Sequence, residues 1–296
     1  MIGKSLRVRV AHRQYRWLLA MGLLLGISAL VVQANLQRMS VADLPQNIKA
    51  EALRSPLPYT TSGFRRTLKR LNAPEGQQPH QNRLPTQFQG QIIRGVTLPS
   101  HQKVIALTFD DGPWPKTTAT VLDILRHHNV KATFFVLGSN GVQYPDLLKR
   151  IAQEGHAIGN HTWNHGYHYH SPALAQREIQ LTQQVIAKYT GLQTALFRPP
   201  GGYLKNGLVA HAHASQQATI LWTVDDTYSG SVDKAVKNVL QHAKSGGIVL
   251  LHDGGGDRKL TIQALPHIIR KLQQQGYQLV TIPELLEMAT TEKANS

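Results

Sequence analysis

The sequence contains no cysteine in its 296 residues. That excludes disulfide stapling, and it excludes a lipid-modified cysteine behind a leader. Stability beyond a packed core must then come from a bound metal. Acidic residues are also scarce, 17 Asp and Glu against 32 Lys and Arg, for a formal charge of +15. A surplus of that size would suit nucleic acid or an anionic surface, but its distribution argues against nucleic acid as a partner. Residues 1–101 hold 14 basic and 3 acidic side chains, whereas the remainder hold 18 and 14. The basicity therefore belongs to the N-terminal third. Internal repeats are absent, which excludes solenoid architectures.

The longest apolar run, WLLAMGLLLGISALVV at 17–32, follows Lys4, Arg7, Arg9, Arg13 and Arg16 with no acid among them. A basic flank followed by an apolar stretch is the layout of an export signal. The run is slightly shorter than the ~20 residues that span a bilayer. Val32-Gln33-Ala34 offers small residues where a signal peptidase reads. Residues 1–34 thus read as a signal peptide or a membrane anchor, cleavage and retention both remaining open. Either one exports the rest, anchored facing outward or released to the envelope. Residues 35–101, rich in Gln, Pro, Arg and Asn, read as a flexible basic linker.

After residue 102 short apolar runs alternate with amphipathic segments. Strands are predicted at 104–109, 132–136, 157–159, 195–198, 219–224, 248–251 and 278–280. Between them, Val232, Val236, Val239 and Ala243 share one helical face, as do Ile262, Leu265, Ile269 and Leu272, and Ala175, Ile179, Ile186 and Tyr189. Alternating strands and helices predict parallel βα units. About seven such units fit a distorted or incomplete (β/α) barrel, whose chemistry sits at the C-terminal ends of the strands. The predicted domain covers 102–286, with a tail at 287–296.

Five segments carry polar residues at those strand ends. TFDDGP (108–113) sets Asp110 and Asp111 side by side before a Gly-Pro turn. Adjacent buried carboxylates repel and lose solvation, so the pair asks for a cation. In HTWNH, His161 and His165 stand at i and i+4, which on a helical turn puts both imidazoles on one face. Two His and one carboxylate form a zinc site with a position left open for water. His168 and His170, which follow, read as solvated loop residues. FRPPGGY (197–203) combines Arg198 with a stiff Pro-Pro and a permissive Gly-Gly, exposing backbone N–H groups suited to an oxyanion. LWTVDD ends in Asp225 and Asp226, and VLLHDGGG puts His252 before a glycine-rich loop. The following DGGGDRK lacks the Lys-Ser/Thr ending of a phosphate loop.

With these five segments in this order, residues 102–286 resemble the polysaccharide deacetylase family, the carbohydrate esterases that share the NodB homology domain. The resemblance implies a metal-dependent hydrolase that removes N-acetyl groups from N-acetylglucosamine residues of an envelope polysaccharide, peptidoglycan first. Chitooligosaccharides, an exopolysaccharide or an O-acetyl ester of the xylan type are the alternatives, and a non-catalytic glycan-binding protein is a distant third. By resemblance, Asp111, His161 and His165 bind a divalent metal, zinc first and cobalt second. Asp110 is the general base, Arg198 its positioner, and His252 the general acid, with Asp225 paired to it. Gly201 supplies an oxyanion donor and Leu250 lines the acetyl pocket. Two departures stand out: many relatives carry Tyr where this chain has Gly201, and a Trp common in the fourth motif is missing from DDTYS. The first removes a side-chain wall, and the second reshapes the substrate groove.

Overall fold

A computed structural model describes residues 80–81, 84–98, 101–225 and 230–291. All lie in the second of the two units into which the chain divides, Phe64–Ser296. The expected signal or anchor and most of the expected linker lie outside the described residues, as do Asp226, Tyr228 and Ser229. Among the described residues no helix is long and apolar enough to cross a membrane.

The strands are β1 (His80–Gln81), β2 (Ile92–Ile93), β3 (Val104–Asp110), β4 (Thr133–Val136), β5 (Ala157–Asn160), β6 (Leu192–Gln193), β7 (Leu196–Phe197), β8 (Ala218–Ile220), β9 (Val224–Asp225), β10 (Gly247–His252) and β11 (Gln278–Val280). The helices are α1 (Thr117–His127), α2 (Gly138–Gln143), α3 (Pro145–Gln153), α4 (Pro172–Thr190), α5 (Leu208–Ala214), α6 (Val232–His242), α7 (Lys259–Gln274) and α8 (Ile282–Thr291). Local chemistry marks several ends. Ser171 caps α4 through Leu174 N, Pro172 takes its first position, and Gly191 closes it at φ 70°.

Nine strands form one parallel sheet in the order β2-β8-β7-β5-β4-β3-β10-β9, with β11 also paired to β3. β10 runs along the whole of one edge of β3. The opposite edge is shared, residues 104–106 pairing with β11 and 108–110 with β4. The sheet must curl, and the chain itself says why. β8 and β9 sit near opposite ends of the order, yet only residues 221–223 separate them. At no more than about 3.6 Å per residue, four steps hold the two ends within roughly 14 Å. The gap is bridged between the segment that follows β2 and the residue that precedes β10, where Val96 N donates to Gly246 O at 2.9 Å.

Alternation along β3 sorts the core. Ile105, Leu107 and Phe109 face the helical layer with residues of α1, α6 and α7. Val104 and Ala106 face the barrel interior with Phe135, Leu196, Ile220 and Ile248. Ile282, Leu285 and Leu286 of α8 join this interior cluster. By the same alternation Thr108 and Asp110 point inward, above that apolar floor.

The predicted barrel is found, with two differences in its strands. The expected strand over 219–224 is broken at 221–223, where the chain crosses from one end of the sheet to the other. The expected linker also ends earlier than residue 101, because Leu84, Ile93 and Leu98 are buried and β2 extends the sheet beside β8. A two-residue strand leaves too short a pattern to stand out from a polar segment. At the other end, α8 carries the fold past the expected boundary at 286, with Met288 and Ala289 against the core.

Candidate active site

The inward positions at the C-terminal ends of five strands converge on one cleft. β3 stops at Asp110, and Asp111 adopts φ 77°, a left-handed conformation that costs a residue with a Cβ. That single dihedral cancels the alternation that would have turned the second carboxylate away. Asp110 Oδ2 and Asp111 Oδ1 each lie 3.6 Å from His161 Nε2. Re-aiming thus begins at Asp111 itself, one residue before the Gly-Pro turn. Gly112 is required for a second reason, since a Cβ there would overlap the Asp253 carboxylate.

His161 follows β5 and is 1% exposed. Its Nδ1 lies 2.7 Å from Arg198 O. A carbonyl only accepts, so Nδ1 carries the proton and Nε2 presents a lone pair to the carboxylates. His165 Nε2 stands 3.2 Å from Asp111 Oδ1. Burial, reinforced by the neighbouring His161, lowers the His165 pKa to about 4, so the ring is neutral near pH 7.

The helical turn expected over 161–165 is not there. Thr162 and His165 have φ 72° and 58°, and the segment is an irregular loop. Its shape is held from beneath by two residues that sequence reasoning missed. Asn160 Oδ1 accepts from Thr162 N at 2.9 Å, and Glu178 Oε2 accepts from Trp163 N and Asn164 N, both at 3.0 Å. Glu178 is 2% exposed, and burial raises its pKa against those two bonds. A polar residue on the inner face of α4, between Ala175 and Ile179, was the available signal.

Arg198, at the end of β7, is fully buried and crosses the barrel interior. Its Nε donates to Ile220 O at 3.0 Å, and its Nη1 reaches Thr108 Oγ1 at 2.8 Å and Asp110 Oδ1 at 2.7 Å. Beneath it the Phe135 ring lies 4.0 Å from the guanidinium carbon. For Asp110 burial is the largest influence and would raise the pKa. The charges of Arg198, His161 and His252, with the Arg198 hydrogen bond, outweigh it and hold Asp110 below the usual carboxylate range.

His252 ends β10 directly opposite Asp110 in the strand register, with Leu250 buried two residues earlier. Asp225, on the next strand, is the register neighbour of Leu250, and its Oδ2 accepts from Trp222 Nε1 at 3.1 Å. Gly201 has φ 59° in the short turn after Pro199 and Pro200. The aromatic wall expected to be missing there is supplied from elsewhere. A Cβ on Gly201 would stand 2.9 Å from Tyr167 Cε1 and 3.0 Å from Tyr203 Cε2.

Sequence reasoning set aside a phosphate-binding role for the loop after His252 and gave it no other. Gly254 and Gly255 pack directly on Asp111, and Arg258 Nη2 lies 3.3 Å from Asp111 Oδ2. Asp253 is 0% exposed, with Oδ2 accepting from Thr118 Oγ1 at 2.6 Å. Burial raises its pKa to about 7, and the charges of Asp111 and Asp110 add to the rise. His170, expected to be solvated, is buried at 2% and stacked on His168, with its backbone N–H donated to Asn206 O.

Among the described residues, Asp111, His161 and His165 form one group whose ligand atoms lie within 4.8 Å of one another. Asp111 Oδ1 is buried and accepts no hydrogen bond. A buried orphan carboxylate oxygen facing the His161 and His165 rings is electrostatically incomplete, and a divalent cation fits that donor set.

A family model described as polysaccharide deacetylase matches residues 97–220. The chain is 42% identical over 194 residues to a peptidoglycan-N-acetylglucosamine deacetylase of Bacillus cereus, covering 64% of this chain and 91% of that protein. It is 39% identical over 201 residues to the peptidoglycan-N-acetylmuramic acid deacetylase PdaC of Bacillus subtilis, covering 67% of this chain and 42% of that one. Among solved structures, a peptidoglycan N-acetylglucosamine deacetylase in complex with 4-naphthalen-1-yl-N-oxidanyl-benzamide matches with a TM-score of 0.62 and 34% identity. That match covers 67% of this chain and 92% of the other.

Proposed function

The chain belongs to the polysaccharide deacetylase family, and from that premise we propose that it hydrolyses N-acetyl groups on N-acetylglucosamine residues of peptidoglycan at the cell envelope. The observation that carries the reading is the buried, unpaired Oδ1 of Asp111 between His161 and His165. A divalent cation held by these three residues, zinc before cobalt, would supply Lewis acidity toward the acetamide carbonyl and water.

The remaining chemistry falls to the chain's own side chains. Asp110, kept ionised by Arg198, takes a proton from the attacking water as general base. The backbone N–H of Gly201 donates to the oxyanion that develops on the carbonyl. Leu250 receives the acetyl methyl group. His252 protonates the departing nitrogen, without which an amine leaves poorly, and Asp225, on the adjacent strand beside Leu250, is assigned as its partner. The balance is water plus amide giving acetate and a free amine. Residues 1–34 serve as the signal or anchor that exports the enzyme, and the folded domain runs from 84 to 291.

The test uses the full chain loaded with zinc, incubated with purified peptidoglycan or with N-acetylglucosamine oligomers, with acetate and new amines counted together. Equal release of both from peptidoglycan, lost on chelation and restored by zinc, is the expected result. Acetate without amine would make the enzyme an O-acetyl esterase. Full turnover after complete chelation would sink the metal assignment.

A further inference from the structure

We propose that Tyr167 and Tyr203 form a rigid aromatic platform that stacks a sugar ring adjacent to the one being deacetylated, so that they set how a polymer chain is held in the cleft. The inference rests on the polysaccharide reading above.

Five large hydrophobic residues among those described are exposed, and three of them are tyrosines near the cleft: Tyr167 at 58%, Tyr169 at 71% and Tyr203 at 55%. An exposed large aromatic is informative only if something organises it. Tyr169 has no ring partner described, but the other two are organised. Tyr167 and Tyr203 meet edge to face, with centroids 5.8 Å apart and planes at 85°. Tyr167 meets the His165 ring at 4.9 Å and 89°, and His165 meets His161 at 4.9 Å and 62°. A file of rings thus runs outward from the metal-ligating imidazoles to Tyr203.

The loop at Gly201 and Gly202 keeps the file in place. Both tyrosine edges lie close to Gly201, and a side chain on that residue would have to displace one or both rings. A Cβ on Gly202 would stand 3.0 Å from Trp222 Cη2, so the loop is backed by a third ring whose own N–H is tied to Asp225. Packing on this scale fixes ring orientation before a ligand arrives, and a tyrosine has little rotamer freedom to lose on binding.

The chemistry of the platform selects its occupant. The face of a phenol ring carries negative quadrupole charge and a broad apolar surface. One face of a pyranose presents a patch of C–H groups with slight positive character, while its hydroxyls point sideways into water. The two surfaces match, and it is the ring face that carries the contact. Because Tyr167 intervenes between His165 and Tyr203, a sugar over Tyr203 is a neighbour of the ring whose acetamide reaches Asp111, His161 and His165. The platform therefore senses polymer length.

The experiment compares wild type, Tyr203→Ala and Tyr203→Phe full chains, zinc-loaded and with metal content verified, on short and long N-acetylglucosamine oligomers. Aromatic stacking is worth about 1–3 kcal/mol where it has been measured on bases. Taking the lower half of that range, Tyr203→Ala should raise KM on the long oligomer about tenfold, with a much smaller change on the short one and kcat largely kept. Tyr203→Phe should behave as wild type. Equal effects on both lengths, no effect on either, or failure of Phe to rescue would overturn the platform. If wild type releases no acetate from any oligomer or from peptidoglycan, the deacetylase reading fails separately. The platform is then judged by calorimetric binding of the long oligomer, where loss of affinity in Tyr203→Ala supports it and unchanged affinity overturns it.

Discussion

Replacing Arg198 by Met tests the electrostatic heart of the cleft. Methionine keeps an unbranched side chain over Phe135 and removes the charge. Asp110, 3% exposed, then loses the ion pair at 2.7 Å, while Ile220 O loses its donor at 3.0 Å. Breaking a buried pair by removing one partner costs about 3–5 kcal/mol, a large share of the roughly 5–15 kcal/mol that holds a typical domain. Two readouts should move together. Urea unfolding should show that loss, and Arg198→Met combined with Asp110→Asn should be no less stable than Arg198→Met alone, because the orphaned charge has gone. The resulting coupling energy should reach about 3 kcal/mol. The second readout is the acid limb of kcat/KM. Burial acts on Asp110 with its chief counterweight removed, so its pKa rises, the carboxylate stays protonated to higher pH, and the limb shifts alkaline. Stability losses that add within about 0.5 kcal/mol, or an unmoved acid limb, would refute the pairing as the device that holds Asp110 ionised.

Glu178→Ala leaves the buried N–H of Trp163 and the half-buried N–H of Asn164 without their acceptor, at about 1–3 kcal/mol for a buried donor. It should also weaken zinc binding about 10–100-fold by loosening the loop that carries His165. Titration with zinc checks this, and unchanged affinity would count against it. His156, 4% exposed, accepts from Ala132 N and has its pKa lowered to about 4 by burial and by Lys131. Unfolded, it binds a proton below about 6.5, so its contribution is complete above that pH and drains away as pH falls toward 4. The loss amounts to roughly 3 kcal/mol. His156→Gln should flatten that part of the stability curve, and an unaltered slope would exclude the cause. Gly112→Ala drives a Cβ into the Asp253 carboxylate, which Thr118 holds in place. A loss of about 1–3 kcal/mol is expected by thermal unfolding, with partial recovery in Gly112→Ala combined with Asp253→Ala. An unchanged midpoint would show that the contact yields freely.

Much of the barrel was legible because β3, β4, β5 and β10 are short apolar runs buried on both faces, and such runs announce themselves. The helical faces were legible for the same reason at a different period. β2 was not, since Ile92 and Ile93 sit in a polar stretch and gain their meaning only from β8, over a hundred residues away. In the site, Asp110, Asp111, His161, His165, Arg198 and His252 could be named because strand ends and local motifs flagged them. Thr118, Asp253 and Arg258 were not, since each acts across the fold on a partner well over a hundred residues away, and Asn160 and Glu178 acquire their roles only from the irregular loop that they hold. The irregular loop at 161–165 was misread as helical because i, i+4 spacing fits a helix, whereas the loop is held open by Glu178 from another element.

The pairing of β3 also bears on how a ribosome must deliver this protein. Its longest edge belongs to β10, whose residues follow their β3 partners by some 140 positions, and its lower opposite edge belongs to β11, later still. As the chain emerges, VIALTFD has only β4 to cover residues 108–110. Until synthesis is nearly finished, a hydrophobic strand with two open edges awaits its partners, the condition under which strands seek other chains. Whatever escorts the nascent polypeptide must shield that strand until the end of translation. A chain that stops between His165 and Gly247 would carry Asp111, His161 and His165 with no β10 or β11 to complete the sheet that holds them.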